Sequence, residues 1–327
     1  MRPAITALIL VLATQSGAQQ LPTIRVPVRL VTVPTLVFSG ESRILPDLQN
    51  NDFRVLDNGR LQTATLNMSY TPVSVAVVIQ VNQDVREYVP FIARSGNALD
   101  ALLVGESGEA CVVTYGSEVT VVKPFDTGDL QSALKSISAG GRPARMIDAG
   151  MRALTLLSAR PSSRSRVLLF IGQPMDSGSE STLTALRHGA EKENITVHTL
   201  ALPELGKAFV SDTFSLQGLS SKADRGGFKA GANLAKLIPV LNRTASASTG
   251  SDPFSILTAA TGGTQLHFRK QRQLEDAVAD LGIQLRSAYL LSYYPNTQEF
   301  GYHLVKVEVD VPGAKAYSRP GYWLNTD

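Results

Sequence analysis

Two short runs of mostly apolar residues predict the centre of the fold. Residues 73–79 (VSVAVVI) and 166–171 (RVLLFI) are apolar at most positions. Such runs are typical of strands buried on both faces of a parallel sheet, since an exposed face would require polar residues at alternate positions. Further strands are predicted at residues 110–115, 119–124, 195–202 and 265–268. Helical stretches are predicted at residues 89–103, 130–137, 147–158, 182–193, 254–260 and 273–286. This alternation indicates an α/β domain with a doubly wound, mostly parallel sheet covered on both sides.

The segments on either side of this region have the alternating pattern of half-buried strands. Residues 24–33 alternate between apolar and polar side chains, and residues 53–56 lead into Asn58-Gly59, a pair that favours a tight hairpin turn. Residues 61–68 are predicted to return as the partner strand. Strands are also predicted near the C-terminus, at residues 288–295, 302–311 and 315–318. The simplest arrangement is a small β-sandwich-like module, made of both flanks, with the α/β domain inserted between them.

The first 18 residues have the three parts of a secretory signal peptide. Arg2 supplies a positive charge, residues 5–13 are apolar, and Ser16 and Ala18 supply small residues at the end. The apolar run of about 9 residues is shorter than the ~20 that a membrane-spanning helix needs. We therefore expect cleavage after Ala18, export to the periplasm or the cell exterior, and no transmembrane segment in the mature chain.

Four regions are expected along the chain. They are a signal peptide (1–18), an N-terminal β flank (19–70), an α/β domain (71–287) and a C-terminal β flank (288–327). Residues 204–250, inside the α/β domain, are rich in Gly, Ser, Lys and Ala and too long for an ordinary connection, so they are interpreted as a surface insertion.

Composition narrows the function classes. Hydrophobic residues make up 43% of the chain and charged residues 18%, which is typical of a globular protein. The net charge of +3 is small and scattered, which argues against nucleic acid as a partner. Cys111 is the single cysteine, so no internal disulfide is possible, and its apolar neighbours indicate a buried, unreactive thiol. No histidine-pair, Gly-x-Ser-x-Gly or Gly-x-x-x-x-Gly-Lys-Ser/Thr motif is present, so no enzyme is predicted.

Several motifs, in order, resemble those of one family. Residues 51–59 (NDFRVLDNG) are similar to its DF-V-E-DG stretch, and residues 260–263 (ATGG) to its A-x-TGG stretch. Residues 286–295 (RSAYLLSYYP) and 319–322 (RPGY) resemble its C-terminal YxLxYxP and RxGY motifs. With the order of strands and helices, these motifs resemble von Willebrand factor A-type proteins, and in particular the VWFA-related Acidobacterial domain family, over about residues 24–323.

The resemblance implies a divalent cation above the C-terminal edge of the sheet, the metal-ion-dependent adhesion site. In the family, the ligands come from an Asp-x-Ser-x-Ser sequence after the first strand, a Thr in a second loop and an Asp in a third, all oxygen donors suited to Mg²⁺. This chain departs at each position. Gln80 replaces the leading carboxylate, Asn82 and Asp84 replace the two hydroxyls, Ala144 stands where Thr is expected, and Gln173 replaces the third-loop Asp.

These departures predict a degenerate metal site. Neutral amides do not balance a dication, and Arg142 and Arg145 add positive charge nearby. We therefore expect no cofactor. Weak divalent-cation binding, at a site rebuilt with Asp84 or Asp176, is the alternative.

Two interpretations of these loops stay open. In one they are merely polar surface. In the other they form a recognition face, in which the two arginines capture a partner's carboxylate directly. The residues of that candidate face are Gln80, Asn82, Asp84, Arg142, Arg145, Gln173 and Asp176.

The resulting hypothesis is an exported, non-enzymatic adhesion or scaffold protein that binds a protein partner through this face without metal. The alternatives are a structural subunit of a cell-envelope assembly, joined through the β module, and a hydrolase with an unrecognised site.

Overall fold

A computed structural model describes residues 30–41, 43–67, 71–125, 129–202, 252–267, 271–297 and 299–324. The predicted signal peptide (1–18) and the predicted insertion (204–250) lie outside these ranges. Within them, no helix combines the length and apolar character needed to cross a membrane.

Fourteen strands and seven α-helices are found in these ranges. The strands are β1 (Val31–Phe38), β2 (Phe53–Asp57), β3 (Arg60–Gln62), β4 (Ala64–Asn67), β5 (Val73–Gln80), β6 (Glu109–Tyr115), β7 (Val119–Lys123), β8 (Ser165–Gly172), β9 (Thr196–Ala201), β10 (Gln265–His267), β11 (Tyr289–Tyr293), β12 (Gly301–Val309), β13 (Lys315–Ser318) and β14 (Gly321–Leu324). The helices are α1 (Val89–Ile92), α2 (Gly96–Leu99), α3 (Leu130–Lys135), α4 (Met146–Ser158), α5 (Leu183–Lys192), α6 (Pro253–Thr261) and α7 (Gln271–Ser287).

Six strands form the central sheet in the order β10-β9-β8-β5-β6-β7. All neighbouring pairs are parallel except β6 and β7. Every residue of β5 is buried, because one apolar cluster covers one face of the sheet with α1, α2, α3 and α7, while another covers the opposite face with α4, α5 and α6. The predicted doubly wound, mostly parallel sheet is confirmed.

The two flanks of the chain meet in a sandwich of two four-stranded antiparallel sheets. The sheet orders are β13-β1-β11-β4 and β14-β12-β2-β3. Val33 and Val55 from the N-terminal flank pack with Leu291 and Val307 from the C-terminal flank in a single core. The predicted β-sandwich-like module made from both flanks is thus part of the fold, while the exact boundaries of the four regions stay a prediction.

The predicted partner strand at residues 61–68 is wrong in its pairing. Only β3 pairs with β2, and β4 pairs with β11 in the other sheet, so the chain changes sheets at Thr63. Leu61 is 62% exposed whereas Leu66 is buried in the core of the sandwich. An alternating pattern specifies which side chains are buried, but it does not specify which neighbouring strand covers them.

The predicted helical stretch at 89–103 is also interrupted. It divides into α1, α2 and a π-helical turn at Asp100–Val104. The hydroxyl of Ser95 donates to the carbonyl of Ile92, an interaction that competes with the hydrogen bonds of a continuous helix. The helical spacing of the apolar residues therefore correctly indicated a buried face but not one continuous element.

Candidate functional site

The candidate site lies where β5 and β8 end, at the C-terminal edge of the parallel sheet. Gln80 is the last residue of β5 and is fully buried. Its carboxamide is used at both ends: Nε2 donates to Oδ1 of Asn82 at 2.9 Å, and Oε1 accepts the backbone N–H of Gln173 at 2.6 Å. Gln80 thereby connects the loops that follow two neighbouring strands.

Asn82 continues the hydrogen bonding that begins at Gln80, and the carboxamides of these two residues form what we call the amide row. Its Nδ2 donates to Oδ2 of Asp84 and to the backbone carbonyl of Arg142, both at 2.8 Å. The backbone N–H of Gln83 donates to Gly141 at 2.9 Å, adding a second link between the same loops. The loops after β5 and before α4 are therefore held together by hydrogen bonds at the place where the resemblance implies a cation.

The third loop is fixed to the start of α4. Oδ1 of Asp176 accepts the backbone N–H of Ile147 at 2.9 Å and the hydroxyl of Ser179 at 2.6 Å. The first N–H groups of a helix lack partners within the helix, and a carboxylate at this end is also favoured by the helix dipole. Asp176 thus has a structural role at the helix N-terminus.

Asp148, in the first turn of α4, holds the neighbouring loop. Its oxygens accept the backbone N–H groups of Glu180 and Ser181 at 3.0 and 2.9 Å and the guanidinium of Arg145 at 2.8 Å. Burial alone would raise the pKa of Asp148, but the hydrogen bonds from Ser181, Glu180 and Arg145 outweigh it and lower the pKa to about 2. This role of Asp148 was not predicted from the sequence.

The two arginines of the predicted face differ in their surroundings. Arg145 contacts Asp148 and also Glu180, at 3.2 Å, so two carboxylates offset its charge. Arg142 is exposed, and its guanidinium has no hydrogen-bond or ion-pair partner in the described part of the chain. Of the two guanidinium groups, that of Arg142 is therefore the more exposed and the less engaged within the described part of the chain.

Tyr115, at the end of β6, also lies at this candidate site and was not predicted from the sequence. Its side chain is fully buried, and its hydroxyl has no hydrogen-bond partner among the described residues. A Cβ on Gly172 would lie 2.3 Å from this hydroxyl and 2.9 Å from Oε1 of Gln80, so the phenol reaches directly beneath the amide row. Burial, and secondarily the charge of Asp176, raises the pKa of Tyr115, which keeps its hydroxyl a donor.

The residues present do not fit the divalent-cation site that the resemblance implies. Hard cations select several carboxylate, hydroxyl or carbonyl oxygens that converge on one point. Here Oε1 of Gln80 already accepts the backbone N–H of Gln173. The side-chain NH₂ groups of Gln80 and Asn82 donate to Asn82 and Asp84, so they leave no converging set of free oxygens. In the described ranges no group of three or more His, Cys, Asp or Glu side chains is arranged to hold a metal ion.

No protein-family model and no curated protein matches this sequence. Several solved structures are similar to it. The SpRpn10 VWA domain has a TM-score of 0.33 at 14% identity and covers 42% of this chain and 78% of its own. The conserved hypothetical protein BatB from Bacteroides thetaiotaomicron has a TM-score of 0.42 at 13% identity, over 65% of this chain and 98% of its own. The von Willebrand factor type A from Catenulispora acidiphila has a TM-score of 0.45 at 11% identity, over 91% of this chain and 64% of its own. At these identities the likeness concerns the fold alone.

Proposed function

We propose that this chain is an exported, non-enzymatic module that binds a protein partner through the loop face at the C-terminal edge of its sheet, without a divalent cation. The observation that carries the proposal is the amide row itself. Gln80 and Asn82 stand where the resemblance implies cation ligands, and they hydrogen-bond to each other and to the neighbouring loops, so the three loops are held in place without an ion.

A rigid polar face favours recognition because the partner does not have to order the loops when it binds. Arg142 supplies the exposed cation of this face, while the carboxylates of Asp148 and Glu180 hold Arg145 in place. The contact that we propose is therefore an ion pair between Arg142 and an acidic side chain of the partner.

The surroundings of three of the four histidines support a non-enzymatic role. His198 and His303 are buried, and His188 packs edge-on against Trp323 with ring centroids 4.7 Å apart. Desolvation lowers the pKa of His198 to about 4, so this side chain is a neutral core residue at neutral pH.

The first test is partner capture from an envelope extract by the mature chain. Arg142→Gln should reduce the captured partner about two- to fivefold, as expected for one exposed charge-assisted contact. Arg60→Gln, at an exposed position on the β module, is the matched control and should capture as the wild type does.

The second test is thermal unfolding of the same protein in EDTA and in excess Mg²⁺ or Ca²⁺. A ligand that binds only the folded state raises the midpoint by mass action, so we expect equal midpoints in all three conditions. An upward shift with either cation, or partner capture that requires it, would contradict the metal-free proposal. Capture unaffected by Arg142→Gln would contradict the assignment of the face.

A further inference from the structure

The strand β7 lies at one edge of the central sheet, and its outer side is open. The sheet order places β6 on one side of β7 and none of the other described strands on the opposite side. Its sequence, VTVVK, has no proline or glycine, and its single charged residue, Lys123, is turned inward, where Nζ donates to the carbonyl of Ala110 at 2.7 Å. Natural proteins usually protect such an edge with charges, proline or a covering loop, because unpaired strand backbone binds other strands. The open edge of β7 is therefore a candidate interaction surface.

One hydrogen bond fixes which backbone groups of β7 point outward. The carbonyl of Tyr115 accepts the N–H of Val81, directly after β5, so the backbone of Tyr115 faces β5 and not β7. Val119 lies directly opposite Tyr115, and opposed residues of an antiparallel pair either exchange both hydrogen bonds or exchange neither. The N–H and C=O of Val119 therefore point away from β6, and so do those of Val121, two residues further along the strand.

No described residue occupies this outer side. The outward N–H and C=O groups of Val119 and Val121 have no hydrogen-bond partner in the described part of the chain. On one face of the sheet, an open pocket of about 520 Å³ lies beside Val119, between α4 and the turn that follows β6. On the other face, Thr120 is exposed. The register with β6 shifts between Val121 and Lys123, so the regular, accessible edge is that of Val119, Thr120 and Val121.

This edge is complementary to itself. When two copies are related by a two-fold axis that passes through Thr120, Val119 of each copy lies opposite Val121 of the other. Both residues direct their backbone groups toward the junction, so each opposed pair exchanges two hydrogen bonds. The two Thr120 side chains face each other between these pairs, and threonine pairs of this kind stabilise antiparallel sheets. None of the three residues is charged, so the pairing brings no like charges together.

From this geometry we infer that the chain forms a symmetric dimer, in which the outer edge of β7 pairs antiparallel with the same edge of a second copy. The two six-stranded sheets then become one continuous sheet. Val119 and Val121 pack on the α4 side, against the apolar cluster that contains Ala153 and Leu157. Val121 of the second copy extends this packing beside the open pocket, which adds apolar burial to the backbone hydrogen bonds.

The dimer has a consequence for recognition. A two-fold axis through β7 reverses the direction of the strands, so the C-terminal edges of the two parallel sheets point in opposite directions. Each copy keeps its own recognition face, and a dimer of this kind holds two partner molecules apart. The dimer itself rests on β7 alone and does not depend on the proposed protein-binding face.

Sedimentation velocity of the mature chain over a series of concentrations tests the inference. We expect the mass in solution to rise from that of one chain to that of two, with a dissociation constant of about 10–100 µM, because three residues per chain form a small interface. A mass of one chain at concentrations up to about tenfold above this range would overturn the inference.

Two pairs of variants assign the dimer to this edge. Val119→Pro removes an N–H that points away from β6, at the first residue of an edge strand, where proline is tolerated. It should weaken dimerisation at least about tenfold because half of the hydrogen bonds between the copies are lost, whereas Val119→Thr keeps the N–H and should dimerise as the wild type does.

The second pair leaves the backbone unchanged. Thr120→Lys places two like charges opposite each other at the axis and should weaken dimerisation about fivefold, whereas Thr65→Lys, at an exposed position on the edge strand β4, should not. This pair decides the question if Val119→Pro does not fold. Equal dimerisation of Val119→Pro and Val119→Thr, or of Thr120→Lys and Thr65→Lys, would show that another surface joins the copies and would overturn the assigned edge.

Discussion

Replacing Gln80 with glutamate tests whether the amide row replaces a cation. The substitution preserves the shape of the side chain but turns the donor Nε2 into an acceptor oxygen. That oxygen would then face Oδ1 of Asn82, to which Nε2 donates at 2.9 Å. Oε1 would keep the N–H of Gln173, so the new charge would be buried with one hydrogen bond and no cation against it.

Rotating the amide of Asn82 does not remove the cost. It would present Nδ2 to the new carboxylate, but its bonds to Oδ2 of Asp84 and to the carbonyl of Arg142 would both be lost. Each such bond contributes about 1 kcal/mol net, and an uncompensated buried charge costs about 3–5 kcal/mol. We therefore expect Gln80→Glu to lower the free energy of unfolding by about 3 kcal/mol at neutral pH.

Urea unfolding followed by the emission of Trp323 measures this loss. Gln83→Glu, three residues along the same loop and exposed, is the matched control for the added charge and should change stability by no more than about 0.5 kcal/mol. If Gln80→Glu unfolds at the same urea concentration as Gln83→Glu, the carboxamide of Gln80 is not held by these two hydrogen bonds and the amide row does not replace a cation.

Three further outcomes are expected from the structure. Gly172→Ala should destabilise the fold by about 2 kcal/mol, because a Cβ there would lie 2.3 Å from the hydroxyl of Tyr115 and 2.9 Å from Oε1 of Gln80, and urea unfolding should show that the double variant with Tyr115→Phe recovers part of the loss. Because its pKa is lowered to about 2, Asp148 contributes about 2 kcal/mol that is present above pH ~4 and lost as pH falls toward 2; the unfolding free energy of Asp148→Asn should therefore depend less on pH in that range. Burial raises the pKa of Cys111 to about 12, so a thiol reagent should label it only at the rate of unfolding.

The central sheet could be predicted from the sequence because a strand that is buried on both faces is a run of apolar residues, whichever strands lie beside it. The run at 73–79 is that of a central strand, and β5 is fully buried. The pairing of β3 and β4 was not predictable in the same way. Leu61 on β3 faces solvent, whereas Leu66 on β4 is buried and pairs with Leu291 of β11, a strand that lies more than 200 residues later in the chain.

The position of the candidate site was predictable from the sequence, but the hydrogen bonds within it were not. Parallel strands place their C-terminal ends at one edge, which is why Gln80, Asn82 and Gln173 meet there. Tyr115 was missed because the run at 110–115 has the pattern of core residues, and nothing in that pattern marks a hydroxyl that reaches the neighbouring strand end. The i,i+3 spacing of Arg145 and Asp148 was a usable signal for their ion pair.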